Sequence, residues 1–241
     1  MPRFEVYIAL AGLETVGGLP INEGTLMDTI LTAVIGAVGA VAAAITAQWY
    51  KYRRSDPDSD DQIRYRDVVK LIHAKTGRHL HSHPMSYSHP NSSHQQQVTG
   101  FEGSDVNDYW VVKGPHGQPE HHCMGRVVRN GDSIRLEHQE TRRNLHSHSD
   151  VPSPVTGQQE VTAYGTNGVG DDNDTWQVQL SEGRRWRSGV RLRLTHVNTG
   201  KALHSHPSEY TPSQQEVTCF GGRDDNDYWE AVRVRRGHRA S

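Results

Sequence analysis

Histidine recurs in a short cluster whose spacing could support metal binding. The triplet His-Ser-His occurs three times, and on a β-strand its two imidazoles would face the same side and could both reach one metal ion. However, no third ligand follows at a recognisable spacing, and a feature repeated beside the same leucine is typical of a scaffold. We therefore expect no bound metal. The six residues are His81, His83, His146, His148, His204 and His206.

Aspartate recurs with the same threefold pattern, as Asp-x-Asn-Asp at residues 105–108, 171–174 and 224–227. These clusters lack the glycine and the distal glutamate of an EF-hand loop, so they predict capped turns rather than calcium sites. The sequence also contains no nucleophile elbow, HExxH motif or P-loop. We therefore expect neither enzymatic activity nor a cofactor.

Both clusters belong to an internal repeat that begins at Lys70, Arg135 and Arg193. Each copy carries Leu-His-Ser-His, then Gln-Gln/Glu-Val-Thr, then the aspartate patch followed by tryptophan. The same three patches occur in the same order in all three copies, which identifies three structural units. A propeller needs at least one more blade, and a solenoid normally has a shorter period.

Within each unit, apolar and charged residues alternate with the period of a β-strand, as in residues 190–194. Gly77 and Gly200 occupy positions where a tight hairpin needs a positive φ, and Arg142 replaces them in the second unit, so we expect that turn to differ. Three such units predict an all-β fold, a β-trefoil. The predicted core is Leu80, Leu145, Leu203, Val98, Val161, Val217, Trp110, Trp176 and Trp229.

The same three patches resemble the MIR motif, and the resemblance covers about residues 63–232. The MIR family includes protein O-mannosyltransferases, stromal cell-derived factor 2-like proteins, and the inositol trisphosphate and ryanodine receptors. The patches are most similar to the mannosyltransferase and stromal-factor branch. The resemblance implies a β-trefoil without catalytic activity that binds a ligand or a partner.

A carbohydrate or peptide site is the binding function that the sequence favours. Aromatic rings beside amides and carboxylates suit such ligands, and the loops at 84–94, 149–157 and 207–213 differ most between the units. The same variation is also typical of surface loops without function. The candidate ligand-binding residues are Tyr87, Gln97, Gln159, Tyr210 and Gln215.

An uncharged stretch of 22 residues lies between Asp28 and Lys51. It ends with a tryptophan and a tyrosine, and another tyrosine and three cations follow it closely. Its 18-residue core, 30–47, extended to residue 50, spans about 31 Å as a helix and predicts one transmembrane segment. A buried helix of a soluble domain is the alternative. Small residues at helical spacing predict packing against transmembrane helices of other subunits. These residues are Ala33, Gly36, Ala37 and Ala40.

The chain is accordingly divided into five parts. They are an N-terminal segment (1–26), a transmembrane helix with its anchor (27–54), a linker (55–62), the trefoil (63–232) and a basic tail (233–241). The cations after the helix favour a trefoil on the cytoplasmic or matrix side of an organelle or endoplasmic-reticulum membrane, and a cleaved signal peptide is the weaker alternative. A net charge of −2 lacks the excess of positive charge that nucleic-acid-binding domains usually carry, so we expect no nucleic-acid partner.

The sequence leaves two functions open. The first is a membrane-anchored accessory subunit of a larger membrane complex, and the second is an endoplasmic-reticulum factor that binds glycans or client proteins beside O-mannosylation or chaperone machinery. Asn91 and Asn173 begin glycosylation sequons that would report a lumenal trefoil, and Asn91 is expected to be the more accessible. Cys123 and Cys219 leave a single disulfide possible.

Overall fold

The computed structural model describes residues 61–234, which form twelve β-strands and four short 3-10 helices. The strands are β1 (Val68–His73), β2 (His79–Ser86), β3 (Gln96–Phe101), β4 (Trp110–Lys113), β5 (Ser133–His138), β6 (Asn144–Pro152), β7 (Gln159–Tyr164), β8 (Trp176–Leu180), β9 (Arg191–His196), β10 (Ala202–Thr211), β11 (Gln214–Phe220) and β12 (Trp229–Arg233). The 3-10 helices are Val106–Asp108, Glu120–His122, Asp172–Asp174 and Asp225–Asp227.

Six of the strands close into an antiparallel barrel, in which β1 pairs with β4, β4 with β5, β5 with β8, β8 with β9, β9 with β12, and β12 with β1. The other six form three hairpins, β2–β3, β6–β7 and β10–β11. Strands β3, β7 and β11 also pair with one another in a triangle, so the hairpins cap one end of the barrel. This threefold arrangement is a β-trefoil, as the repeat predicted.

The core is built from one leucine, one valine and one tryptophan of each repeat. All nine predicted core residues are buried, with at most 1% of their surface exposed. The indole nitrogens of Trp110, Trp176 and Trp229 donate to the backbone carbonyls of the leucines at 2.9, 2.9 and 3.0 Å. Because these polar atoms are satisfied, each ring is buried without an orphaned donor. The prediction of structural tryptophans is therefore confirmed.

The end of the barrel opposite the hairpins is closed by a cycle of three backbone hydrogen bonds. The amide of Ile63 donates to the carbonyl of Trp186, that of Trp186 to Val128, and that of Val128 to Ile63, at 2.8 to 3.0 Å. Gln62 is also buried there. At the other terminus the last strand, β12, ends at Arg233.

The hairpin turn of the second repeat is the same as the other two, and our expectation of a different turn is wrong. Arg142 has a φ of 57°, close to the 71° of Gly77 and the 68° of Gly200. Its amide donates to His138 at 2.9 Å, where the two glycines make the equivalent bond at 2.8 Å. The guanidinium pairs with buried Glu137, which helps to hold a conformation that usually favours glycine.

Several predictions fall on residues outside 61–234. They are the transmembrane helix with its anchor, the small-residue stripe at Ala33, Gly36, Ala37 and Ala40, the N-terminal segment, most of the linker and all but the first residues of the tail. Among the residues that the structure describes, no helix has the length and apolar character needed to cross a membrane.

Candidate functional site

Each aspartate patch folds as one turn of 3-10 helix closed by a capping box. In the first repeat, Asp105 Oδ1 accepts from the amide of Asn107 at 2.7 Å, and Asp108 Oδ2 accepts from the amide of Asp105 at 2.8 Å. The other two repeats reproduce both bonds at 2.7 to 3.0 Å. The predicted capped turns are confirmed, and the reciprocal bonds explain why the spacing of the two aspartates is fixed.

The first histidine of each triplet is buried against the last aspartate of the same patch. The bond from Nδ1 to the aspartate oxygen measures 3.0 Å for His81 and Asp108, 2.9 Å for the second repeat and 2.8 Å for the third. We call these residues the inner pairs. They are His81 with Asp108, His146 with Asp174, and His204 with Asp227, and every member is at most 3% exposed.

A partly exposed rim surrounds each inner pair. It consists of the first aspartate of the patch, with about 45% of its side chain exposed, the second histidine of the triplet and an aromatic residue from the end of the hairpin. Within each repeat, the inner imidazole lies 4.7 to 4.8 Å from the aromatic ring and 5.3 to 5.5 Å from the outer imidazole. The rims are Asp105, His83 and Phe101 in site 1, Asp171, His148 and Tyr164 in site 2, and Asp224, His206 and Phe220 in site 3.

The environment sets the charge of these groups. Burial and the neighbouring inner histidine lower the pKa of His83 and of His206, so both are neutral at pH 7 and can donate and accept hydrogen bonds. Burial alone would raise the pKa of Asp108, but the hydrogen bonds that it accepts from His81, Asp105 and Lys70 hold the pKa below its usual value. Asp108 is therefore an anion at neutral pH.

A cation approaches the inner aspartate in two of the three sites. Lys70 Nζ lies 3.3 Å from Asp108 in site 1, and Arg193 Nε lies 3.6 Å from Asp227 in site 3. These cations also lie over aromatic rings, at 4.8 and 4.0 Å from the centroids of Tyr109 and Tyr228. In site 2 the aspartate instead accepts from an amide, Asn144 Nδ2, at 2.9 Å.

The structure places two of the predicted binding residues inside the scaffold. Gln159 and Gln215 are 2% and 1% exposed, and each donates to the serine of its own His-Ser-His triplet, at 2.7 and 2.5 Å. Each also reaches the turn threonine of the next repeat, at 3.2 and 3.3 Å. The equivalent residue of the first repeat is Gln96 rather than Gln97, so the three predicted glutamines are not one structural set.

The other three predicted residues lie together at the hairpin cap. The rings of Tyr87 and Tyr210 are 5.5 Å apart, and Gln97 Nε2 lies 3.5 Å from the hydroxyl of Tyr210. Tyr87 is only 3% exposed, and its hydroxyl donates to the carbonyls of Val98 and Val161 at 3.0 and 3.3 Å. Tyr87 therefore links two hairpins, whereas Tyr210 is only partly buried.

Sequence reasoning did not identify the aromatic residues of the rims. A signal was present, because an aromatic residue follows each Val-Thr pair by two positions. These residues are Phe101, Tyr164 and Phe220. Their role became visible only when the barrel brought the hairpin ends beside the aspartate patches.

Each site brings one imidazole and two carboxylates close together, with one ligand atom of each within 4.8 Å of the others. The inner pair is already hydrogen-bonded internally, and the inner carboxylate also accepts from the capping box. The groups that face outward are the outer carboxylate, the outer imidazole and the ring, which suit hydroxyl and amide partners. Cys123 and Cys219 are buried free thiols and are not bridged.

Comparisons with known proteins agree with this architecture. The family model described as MIR domain matches residues 84–185. A stromal cell-derived factor 2-like protein of Dictyostelium discoideum is 43% identical over 170 residues, which cover 69% of this chain and 79% of that protein. The crystal structure of the SDF2-like protein from Arabidopsis thaliana is 39% identical with a TM-score of 0.66, covering 71% of this chain and 94% of that chain.

A membrane enzyme contains a similar region. The structure of the S. cerevisiae protein O-mannosyltransferase Pmt1-Pmt2 complex bound to the sugar donor matches with 30% identity and a TM-score of 0.63. The match covers 73% of this chain but 26% of that chain. The similarity is therefore restricted to one part of the enzyme.

Proposed function

The chain belongs to the stromal cell-derived factor 2-like family of MIR-domain proteins, and we propose from this that its trefoil is a non-catalytic module that binds glycan-bearing polypeptides beside the protein O-mannosylation machinery. The proposed compartment is the lumen of the endoplasmic reticulum. The identity to stromal cell-derived factor 2-like proteins and the match to part of a mannosyltransferase complex support this choice between the two functions left open by the sequence.

The observation that carries the proposal is the threefold repetition of one exposed rim on one buried scaffold. An enzyme site requires a single asymmetric arrangement of acid, base and substrate contacts. Here the inner histidines and aspartates are committed to each other and to the capping boxes. What each repeat offers to the outside is a carboxylate, an imidazole and a ring, which is a binding surface in three copies.

The chemistry of the rims suits sugars. A carboxylate accepts strong hydrogen bonds from vicinal hydroxyls, and an aromatic ring packs against the C–H face of a pyranose. A groove of about 430 Å³ also begins beside Phe220 in site 3, and Lys201, Asp150 and Gln158 line it. A peptide that carries a short glycan could place the sugar at a rim and its backbone in such a groove.

The proposal is tested by fluorescence anisotropy with two labelled peptides of the same sequence, one carrying α-mannose on serine and one unmodified. The full chain in mild detergent is expected to bind the mannosylated peptide at least tenfold more tightly. The triple variant Asp105→Asn, Asp171→Asn, Asp224→Asn should lose that preference. Asparagine keeps the oxygen that accepts from the capping amide, so the fold is expected to survive.

The matched control is Glu140→Gln, which neutralises an exposed carboxylate in the hairpin turn between β5 and β6. It should leave the affinity unchanged. Equal affinity for the two peptides in the unsubstituted protein would overturn the glycan proposal. Retention of the preference by the triple variant would show that the rims are not the site.

We further propose that residues 27–54 anchor this module in the membrane and pack against transmembrane helices of other subunits. The support is the sequence itself: an uncharged stretch long enough to span a bilayer, followed by aromatic residues and cations, with a stripe of small residues along it. If the trefoil is lumenal, the helix must cross the membrane in the orientation opposite to the one that the three cations after it favour.

Alkaline carbonate extraction tests the anchor, because a spanning helix stays in the pellet whereas a peripheral protein is released. The paired substitution Gly36→Leu with Ala40→Leu should keep the protein in the pellet but shift its complex to a smaller size on a native gel. Release of the unsubstituted protein by carbonate would contradict the anchor. An unchanged complex would contradict the packing stripe.

A further inference from the structure

The two glycosylation sequons occupy structurally different positions. Asn91 is exposed in the connection between β2 and β3, within a turn in which the amide of Ser92 donates to the carbonyl of His89 at 3.0 Å. The side chain of Asn91 makes no hydrogen bond to any residue in the range 61–234. Its amide nitrogen is therefore free to carry a substituent without loss of a contact.

Asn173 is fixed in the scaffold. It lies in the 3-10 helix Asp172–Asp174, and its amide donates to Asp171 Oδ1 at 2.9 Å. Its carbonyl oxygen lies 2.9 Å from Nε2 of buried His196, which joins two repeats. Its side-chain oxygen accepts from Asn198 Nδ2 at 2.9 Å. A glycan attached to this residue before folding would have to be accommodated beside three interactions that hold the turn.

We propose that Asn91 is an N-glycosylation site of this protein and that Asn173 is not modified. In the reaction, Nδ2 of Asn91 forms a bond to the anomeric carbon of a lipid-linked oligosaccharide diphosphate. The bond from that carbon to the diphosphate oxygen breaks, and the amide gives up one proton. This inference rests on the lumenal location in the proposed function, because the donor and its transferase act in that compartment.

The fold also sets when the transfer occurs. Ser93, the hydroxyl residue of the sequon, donates its side-chain hydroxyl to the buried carboxylate of Glu160, and its amide donates to the same oxygen at 3.2 Å. In the folded protein the serine of the sequon is therefore held against the second repeat. The transfer must precede the docking of this loop, while the sequon is still extended.

A glycan at Asn91 leaves the rim of site 2 open. The loop contacts β7 near its start, at Glu160, whereas the rim residue Tyr164 is the last residue of that strand. Tyr164 lies four positions beyond Glu160 in the strand, a distance of about 13 Å. Modification and ligand binding are therefore compatible on the same molecule.

The test is expression of the full chain in eukaryotic cells, followed by endoglycosidase digestion and gel mobility. The unsubstituted protein should carry one removable glycan, Asn91→Gln should carry none, and Asn173→Gln should still carry one. A topology control uses Val169→Thr in the Asn91→Gln background. This change at a 68% exposed residue makes exposed Asn167 the start of a new sequon, and one glycan should return.

The control separates failure of this inference from failure of the proposed function. If Val169→Thr adds a glycan but the unsubstituted protein carries none, the lumenal location stands and the Asn91 assignment is overturned. A glycan that persists in Asn91→Gln and disappears in Asn173→Gln overturns it as well. If no variant is glycosylated, the lumenal location fails, and the modification site fails with it.

Discussion

Sites 1 and 3 differ from site 2 in the group that balances the buried aspartate. In sites 1 and 3 a partly exposed cation, Lys70 or Arg193, approaches the carboxylate. In site 2 the side chain of Asn144, which is fully buried, donates to Asp174 instead. Compensation by a neutral amide works here because His146 and the capping amide also donate to the same carboxylate. The inner pair is thus constant, and its surroundings vary between repeats.

The difference follows from an insertion in the second repeat. Six residues separate Tyr164 from Asp171, whereas three separate the aromatic residue from the aspartate in the other two repeats. The longer loop lies against the inner aspartate, and its backbone comes so close that a Cβ on Gly170 would lie 1.8 Å from Asp174 Oδ2. Arg135, the counterpart of Lys70, donates to the carbonyls of Gly114 and Gly168. The inserted loop therefore packs against the inner aspartate of site 2, while Tyr164 in the rim of that site is 38% exposed.

The largest effect is expected when the inner aspartate is removed. Asp174→Ala leaves the imidazole of His146 and the capping amide of Asp171 without their acceptor, and it leaves the amide of Asn144 with only the carbonyl of Gly168, so the free energy of unfolding should fall by about 4 kcal/mol. Asp108→Ala should cost about 1 kcal/mol less, because Lys70 can turn to solvent. Urea unfolding of both variants measures the difference. Equal losses in the two sites would contradict the comparison.

A pH titration extends the comparison to the three histidines that join the repeats. His73, His138 and His196 each bond to a turn threonine and to the carbonyl of an asparagine in another repeat. Burial lowers the pKa of all three, and that of His138 falls to about 4. An unfolded histidine has a pKa of about 6.5, so the unfolded state takes up the proton first. The contribution of these residues is complete above pH 6.5 and is lost as the pH falls below that value, which for His138 continues to about pH 4.

For His138 alone, this linkage predicts a loss of about 2 kcal/mol in the free energy of unfolding between pH 7.5 and pH 5. Urea unfolding at the two pH values measures it. His138→Gln should reduce the pH dependence, whereas His122→Gln, at an exposed position, should leave it unchanged. A pH-independent free energy of unfolding over this range would contradict the account.

A smaller effect is expected at the inserted loop. Gly170→Ala should lower the free energy of unfolding by about 2 kcal/mol, because the new methyl group must displace the Asp174 carboxylate or the loop. The matched control is Gly221→Ala, where the nearest atom to the added Cβ would be Lys201 Cγ at 3.8 Å. That change should be nearly neutral. A neutral Gly170→Ala would show that the loop does not press on site 2.

The smallest effect concerns the hairpin turns. Gly77→Ala forces a positive φ on a side chain that has free space around it, so it should cost about 1 kcal/mol. Arg142→Gly relieves the same strain in the second repeat but loses the ion pair with Glu137, so the two effects should nearly cancel. Thermal unfolding compares the two variants. A large loss for Arg142→Gly would mean that the ion pair dominates this turn.

The repeat allowed the fold and the core to be predicted. The alternation of apolar and charged residues within each unit predicted that the leucines, valines and tryptophans lie in the core. Three units are too few for a propeller, so the sequence favoured a β-trefoil. The turn at Arg142 was predicted wrongly, because the usual preference for glycine at positive φ does not reveal a partner such as Glu137, five residues away. The insertion before Asp171 could be counted in the sequence, but its contact with Asn144 could not.

The positions of the polar and aromatic side chains around the three sites were harder to predict than the fold. Gln159 and Gln215 are polar and adjacent to loops, which favours a surface position, yet their amides tie the hairpins to the turns of the next repeat. The rim aromatics were passed over because sequence spacing does not show which side chains the barrel brings together. Buried polar networks and rims of this kind depend on strand register between repeats.

If the three rims form the binding surface, a mannosylated serine peptide must change the environment of their imidazoles. An NMR titration that follows the imidazole resonances as this peptide is added measures that change. We predict that the signals of His83, His148 and His206 shift together with addition of peptide, while those of His121 and His122, exposed on the Glu120–His122 helix, stay in place. Unmoved rim signals at saturating peptide, or shifts confined to the hairpin cap around Tyr210, would contradict the account.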